Sequence, residues 1–145
     1  MAVGDLAAAD PLPRVARWLS DHPAVVEALG GPGRVGADNA PPYPRLRLLD
    51  TPGGDDRDLR WLTVVSLQVE ALGDLDGAPG KEALRRALYT ALGALAELPN
   101  VPCPPGLPVI TAVRSARAGG WVPEPSGQPR YVAEVRVYVH RAVDV

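Results

Sequence analysis

The sequence predicts an α+β fold: an antiparallel sheet of about four strands, with a long helix and N-terminal helices packed on one side. Two observations carry this prediction. Residues 79–98 place apolar side chains at helical spacing, whereas segments on both sides of them alternate apolar and polar residues, as half-buried strands do. Because runs of strands and helices are segregated rather than strictly alternating, the order favours α+β over a parallel α/β sheet.

Two short helices are expected near the N-terminus. After Pro11, a stretch with apolar residues every three or four positions predicts an amphipathic helix, formed by Leu12, Val15, Ala16 and Leu19. The polar residues 20–22 followed by Pro23 then predict a cap and a second helical start. Gly30 and Gly31 end this second helix.

A hairpin follows the helices. Residues 43–49 alternate leucine with arginine and predict a strand, and residues 51–56, rich in Pro, Gly and Asp, predict a turn. Residues 59–71 form the returning strand, with one apolar face throughout. The long helix at 79–98 then presents a stripe of Leu84, Leu88, Ala91, Leu92, Leu95 and Leu98, and the proline-rich segment 99–106 ends it.

The last two strands are expected at 109–116 and 130–141. The segment 118–129 between them is too long for a tight turn, so it is expected to project from the body. Arginine and aromatic residues flank this segment, and such residues commonly anchor protein partners. The predicted protein-interface residues are therefore Arg114, Arg117, Trp121, Arg130 and Tyr131.

The length, composition and net charge of the chain limit the classes of protein to which it can belong. The 145 residues fit a single domain, 1–145, and no apolar run approaches the roughly 20 residues that span a bilayer, so no membrane association is expected. Cys103 is the only cysteine, which excludes an intrachain disulfide. The net charge of −2 argues against strong, sequence-independent binding to nucleic acid, because such binding needs many cations facing phosphates.

No catalytic, cofactor-binding or metal-binding site is predicted. Residues 20–22 are Ser, Asp and His, but adjacent residues point in different directions and cannot form a relay, so they are interpreted as a helix cap. His22 and His140 are too few for a metal site by themselves. The aspartates near residues 55 and 75 are typical of turns, and Gly30 to Gly33 lack the ending of a phosphate loop.

The pattern of elements over residues 10–142 resembles the tail terminator proteins of tailed bacteriophages, particularly those infecting actinobacteria. Four segments carry the resemblance: PYPRLRL at 42–48, WLTVVSLQV at 61–69, ALRRAL at 83–88 and RYVAEVRVYVH at 130–140. The resemblance implies a structural virion protein whose hexameric ring caps the tail tube, ends its polymerisation and joins the tail to the neck. Its implied partners are the tail tube protein and a head-completion or neck protein, and genomic DNA would pass through the channel without specific binding.

The resemblance also implies a location at the tail–neck junction of the virion, after assembly in the host cytoplasm, and no enzymatic activity. Two alternatives stay open. A neck or head-completion protein, acting as stopper or adaptor, would bind the portal side instead of the tube. A small α+β ligand-binding domain or enzyme would need a pocket with clustered titratable residues.

Overall fold

The computed structural model describes residues 10–58 and 62–140, with side chains for all of these except 52–58 and 62. Its elements follow the predicted order of two helices, a hairpin, a long helix and a second hairpin. The predicted α+β fold class is therefore confirmed. They are α1 (Leu12–Asp21), α2 (Pro23–Leu29), β1 (Val35–Gly36), β2 (Arg45–Asp58), β3 (Leu62–Leu72), α3 (Lys81–Glu97), a 3-10 turn (Leu98–Asn100), β4 (Val109–Trp121) and β5 (Arg130–His140).

The sheet has five strands in the order β1-β2-β3-β5-β4, so the prediction of about four strands is one short. The additional strand, β1, contains two residues and pairs in parallel with β2 through Val35 and Leu46. Two residues are too few to show the alternation by which a strand is recognised in a sequence. The other four strands are antiparallel to their neighbours.

Strand β2 runs through the segment that was predicted to be a turn. Pairing with β3 continues from Arg45 to Asp58, with register shifts between Thr51 and Asp55 and between Asp55 and Asp58. Such shifts let a strand accommodate extra residues, and they allow proline and glycine at a sheet edge. The predicted start of the returning strand, at residues 59–61, lies outside the described residues.

Helix α3 packs on one face of the sheet, here called the helix face. Its predicted stripe is buried except for Leu92, which is partly buried, and Leu84, Leu88 and Leu95 have no exposed surface. They join a cluster with sheet residues that include Val69 and Val137. The helix also passes close to β4, since a Cβ built on Gly119 would lie 3.0 Å from the Tyr89 hydroxyl. The opposite side of the sheet is called the distal face.

The N-terminal helices are joined to α3 by side-chain contacts. His22 is the predicted cap, because its Nδ1 accepts a hydrogen bond of 3.2 Å from the Ala24 amide at the start of α2. Gly30 ends α2 with φ of 83°, which favours glycine. The Trp18 indole donates a 2.7 Å hydrogen bond to the Ala94 carbonyl of α3. None of the described helices is long and apolar enough to cross a membrane.

Candidate functional site

The structure divides the five predicted interface residues between the two faces of the sheet. Trp121 and Tyr131 are opposite each other on β4 and β5, and their ring centroids lie 6.4 Å apart on the helix face. Arg114 and Arg117 are exposed on the distal face of β4, and Arg130 lies on the distal face of β5. The residues therefore do not form one surface.

Trp121 lies at the end of the sheet near the start of α3. Its side chain is 36% exposed, and the Lys81 ammonium lies 6.0 Å from its ring. Tyr131 is buried beneath it, with 8% exposure. An aromatic side chain with one exposed surface and a rigid neighbour is suited to contact a partner, and the interface role of Trp121 stays a prediction.

The segment between β4 and β5 does not project, and that prediction is wrong. Strand β4 extends to Trp121, and the remaining loop folds back with a turn in which the Gly127 amide donates to the Glu124 carbonyl. Gln128 is buried, and its amide nitrogen donates a 2.7 Å hydrogen bond to the Gly73 carbonyl. These tertiary contacts could not be read from the loop's composition.

A four-residue ion network holds this loop against the distal face. Glu70 of β3 is fully buried, and its two oxygens accept from Arg47 Nε at 2.5 Å and from Arg130 Nη1 at 2.8 Å. Glu124 of the loop pairs with the same two arginines at 3.0 and 3.1 Å. The hydrogen bond from Arg47 to Glu70 raises the pKa of Arg47 above its usual value. Arg130 therefore has a structural role that differs from the predicted one.

Beyond this network, the distal face carries unpaired positive charge near β4. Arg114 is directly opposite Arg136 in the pairing of β4 with β5, and Arg117 is opposite Glu134. The Ser66 hydroxyl donates a hydrogen bond to Glu134, and the Arg114 guanidinium lies 5.6 Å from the Tyr138 ring. Within the described residues, no carboxylate forms an ion pair with Arg114, Arg117 or Arg136.

Arg136, which also lies on this surface, was not among the predicted interface residues. Its position on the polar side of the last strand was apparent from the alternation. The register that places it against Arg114 depends on three irregularities in the pairing of β4 with β5. A one-residue difference in register would have separated the two arginines.

The opposite edge of the sheet carries negative charge. Asp50 of β2 is largely exposed, and the partial burial of its carboxyl, with a smaller contribution from the charge of Asp10, raises its pKa above the ordinary value. Three further aspartates, Asp55, Asp56 and Asp58, follow along the same strand. The two edges of the sheet therefore differ in charge.

The raised pKa of Asp50 predicts a pH-dependent effect of Asp50→Asn. The folded protein disfavours the ionised form of Asp50. The contribution of Asp50 to stability is therefore most favourable below the pKa that this carboxyl has in the unfolded chain, and it is lost as pH rises through the higher pKa of the folded protein. Asp50→Asn is expected to stabilise the protein at pH 7 by about a few tenths of a kcal/mol, because the carboxyl is only partly buried and solvent screens its repulsion from Asp10, and to give no gain at pH 3. Urea denaturation at both pH values measures this, and an equal gain at both would contradict the electrostatic cause.

A cavity of about 560 Å³ lies between α1 and the proline-rich segment after α3. It is lined by apolar groups that include Trp18 and Leu107, with Arg14, Arg17 and Asp21 at its polar side. Cys103 is close by, and its thiol donates to the Leu107 carbonyl at 3.4 Å. The three titratable residues of its lining all come from α1, and Arg17 and Asp21 form an exposed ion pair at 3.8 Å.

The structure brings together no metal-binding cluster of three or more His, Cys, Asp or Glu side chains within the residues it describes. Asp74 is a turn residue as predicted, because its Oδ1 accepts from the amides of Asp76 and Ala78, both at 2.9 Å. The side chains of Asp55, Asp56 and Asp58 lie outside the described ones. His22 lies 3.5 Å from Glu97 Oε2, at the junction of the helices.

Comparison of the sequence with protein-family models gives no match, and comparison with curated proteins gives no significant match either.

Proposed function

We propose that this chain is a structural virion protein that forms a ring on the tail tube of a bacteriophage, ends tube polymerisation and joins the tail to the neck. The observation that carries the proposal is the pair of unlike sheet edges. A closed ring of identical subunits joined head to tail needs two different contact surfaces on each subunit. The edges at β2 and β4 are at opposite ends of the sheet and differ in charge.

The proposed mechanism is control of polymerisation by shape. One side of the ring would pair with the last ring of tube protein, whereas the other side would offer no surface on which a further tube subunit could dock. No covalent chemistry is required. The ring would leave a channel for genomic DNA and would occupy the tail–neck junction of the virion, after assembly in the host cytoplasm.

The experiment that tests this proposal is native mass determination of the purified chain at micromolar and at high concentration, followed by electron microscopy alone and with purified tail tubes. A closed ring, particularly a hexamer with a central hole, that caps tube ends is expected. A monomer at every concentration that also fails to bind tubes would overturn the proposal. Binding to the portal side without contact to the tube would instead identify a neck or head-completion protein.

A second candidate function is ligand binding in the cavity between α1 and the proline-rich segment, which has the volume of a small-molecule site. Trp18→Ala would open this cavity. If ligand binding is the function, Trp18→Ala should lower the affinity of the chain for a small molecule that the wild-type chain binds, and the self-association of the chain should be unchanged.

The predicted interface role of Trp121 gives a specific expectation for Trp121→Ala. The exposed part of the ring is available to a neighbouring subunit or partner, so truncation is expected to weaken assembly by about 2 kcal/mol. Sedimentation equilibrium measures the association. Leu107→Ala, at a residue of similar exposure (38%), is the matched control and should leave assembly unchanged. Equal assembly of both variants would remove Trp121 from the interface.

A further inference from the structure

Within the residues that the structure describes, the arginines near the β4 end of the sheet have no ion-pair partner. We define the basic edge as Arg114, Arg117 and Arg136, all exposed on the distal face. Like charges directly opposite on neighbouring strands, as Arg114 and Arg136 are, destabilise a sheet. The described residues supply no carboxylate within ion-pair distance of any of the three. A negatively charged partner at this edge would remove the repulsion.

The other edge of the same sheet supplies a suitable negative surface. We define the acidic edge as the part of β2 from Asp50 to Asp58, which contains four aspartates and one arginine. Strand β1 pairs only with Leu46 and Arg47, so beyond this point no described strand covers the outer side of β2. Asp55 pairs with Val64, and Asp58 pairs with Leu62, both at distal-face positions of β3.

The directions of the strands allow the two edges to meet in identically oriented copies. Strands β2, β3, β5 and β4 are each antiparallel to the next, so β4 runs opposite to β2. If a second copy is placed beside the first in the same orientation, its β2 lies antiparallel to β4 of the first. The helices of both copies are then on the same side, and the basic edge lies on the same face as the positions of Asp55 and Asp58.

The backbone of β4 limits which strands can dock there. Its pairing with β5 shifts register between Ile110 and Ala112, between Ser115 and Arg117, and between Arg117 and Gly120. Irregularities of this kind protect an edge from indiscriminate strand addition. The longest regular stretch is residues 112–115. Docking would therefore depend on charge pairing more than on a long backbone ladder, which favours a partner of complementary charge.

We propose that the basic edge of one copy binds the acidic edge of a second copy, head to tail. This contact rests on the proposed ring function and specifies the subunit interface of that ring. It also predicts that assembly weakens as salt concentration rises, because exposed charge pairs are screened.

The test uses two charge-reversal variants of the full chain. The basic-edge variant is Arg114→Glu with Arg117→Glu, and the acidic-edge variant is Asp55→Arg with Asp58→Arg. Each variant alone brings like charges together at every contact, so its self-association should be at least tenfold weaker than that of wild type. In an equimolar mixture, every contact between unlike copies joins opposite charges, and assembly should return with strictly alternating copies. Native mass spectrometry reads the alternation directly.

Several outcomes would overturn the inference. Wild-type-like assembly of either variant alone would show that these edges do not meet, while leaving the ring proposal intact. Two folded variants that stay monomeric even when mixed would show that the edges bind something other than each other. No self-association of wild type, alone or on tail tubes, would reject both proposals.

Matched controls keep the result interpretable. Arg86→Glu, at an exposed position of α3, reverses a charge away from both edges and should assemble as wild type does. Urea denaturation establishes that each variant is folded. If a glutamate variant does not fold, Arg114→Gln with Arg117→Gln removes the charges without reversal and should still weaken assembly. Mixed with the acidic-edge variant it should form only pairs of unlike copies, because just one of the two mixed contacts places arginine against aspartate.

Discussion

Replacing Glu70 by glutamine is expected to lower the free energy of unfolding by about 3 kcal/mol, because it leaves two arginines without their principal counter-charge. Glu70 has no exposed surface, whereas Arg47 and Arg130 retain 17% and 18% of their side-chain exposure. The arginines can therefore recover some solvation, but the buried amide cannot replace both ion pairs. Urea denaturation measures the loss.

The matched control for this prediction is Glu82→Gln on α3. Glu82 also pairs with an arginine, Arg85, but at 3.8 Å and with 72% of its side chain exposed, so its loss should cost under about 0.5 kcal/mol. A Glu70→Gln effect as small as this would mean that water screens the network. Replacing all four network residues, Glu70, Arg47, Arg130 and Glu124, by apolar residues of similar volume should restore much of the stability, because no charge of the network is then left unpaired.

The second large effect is expected for Leu88→Ala, which should destabilise the protein by about 3 kcal/mol. Leu88 lies in the middle of the buried stripe of α3 and has no exposed surface. Truncation removes apolar contacts with the sheet and leaves a cavity that the rigid strands beneath cannot close. The same denaturation measurement applies.

Leu75→Ala is the control for the core substitution. Leu75 is 75% exposed, so the same chemical change there should alter stability by less than about 0.5 kcal/mol. If Leu88→Ala were equally mild, α3 would not be packed on the sheet as described. Since both substitutions remove the same atoms, their difference isolates the effect of burial.

The regular elements were predictable where the periodicity was long. The stripe of α3 extends over four turns, and β5 alternates over eleven residues. The predicted bounds of both elements therefore agree with the observed bounds to within two residues at each end. Strand β1 was not assigned because it has two residues. The turn predicted at 51–56 failed for a different reason: at a sheet edge, bulges let turn-forming residues remain in a strand.

The candidate site was less predictable than the fold. Arg114, Arg117 and Trp121 were identified from residue type and from their place in or beside a loop predicted to project, and the structure places them on two different faces. Arg130 was expected at an interface but is held by Glu70 and Glu124, which come from two other parts of the chain. Residue type does not reveal which of several arginines meets a carboxylate across the sheet.

The sequence by itself determined the order and type of the long elements and the segregation of apolar residues to one side of the predicted strands, because these depend on neighbours within a few residues. It also excluded an intrachain disulfide, because the chain has one cysteine. Only the tertiary structure decided that the loop folds back, that Glu70 joins two arginines and that Arg114 faces Arg136. Each of these depends on the register between strands distant in the chain, where a shift of one residue changes every partner.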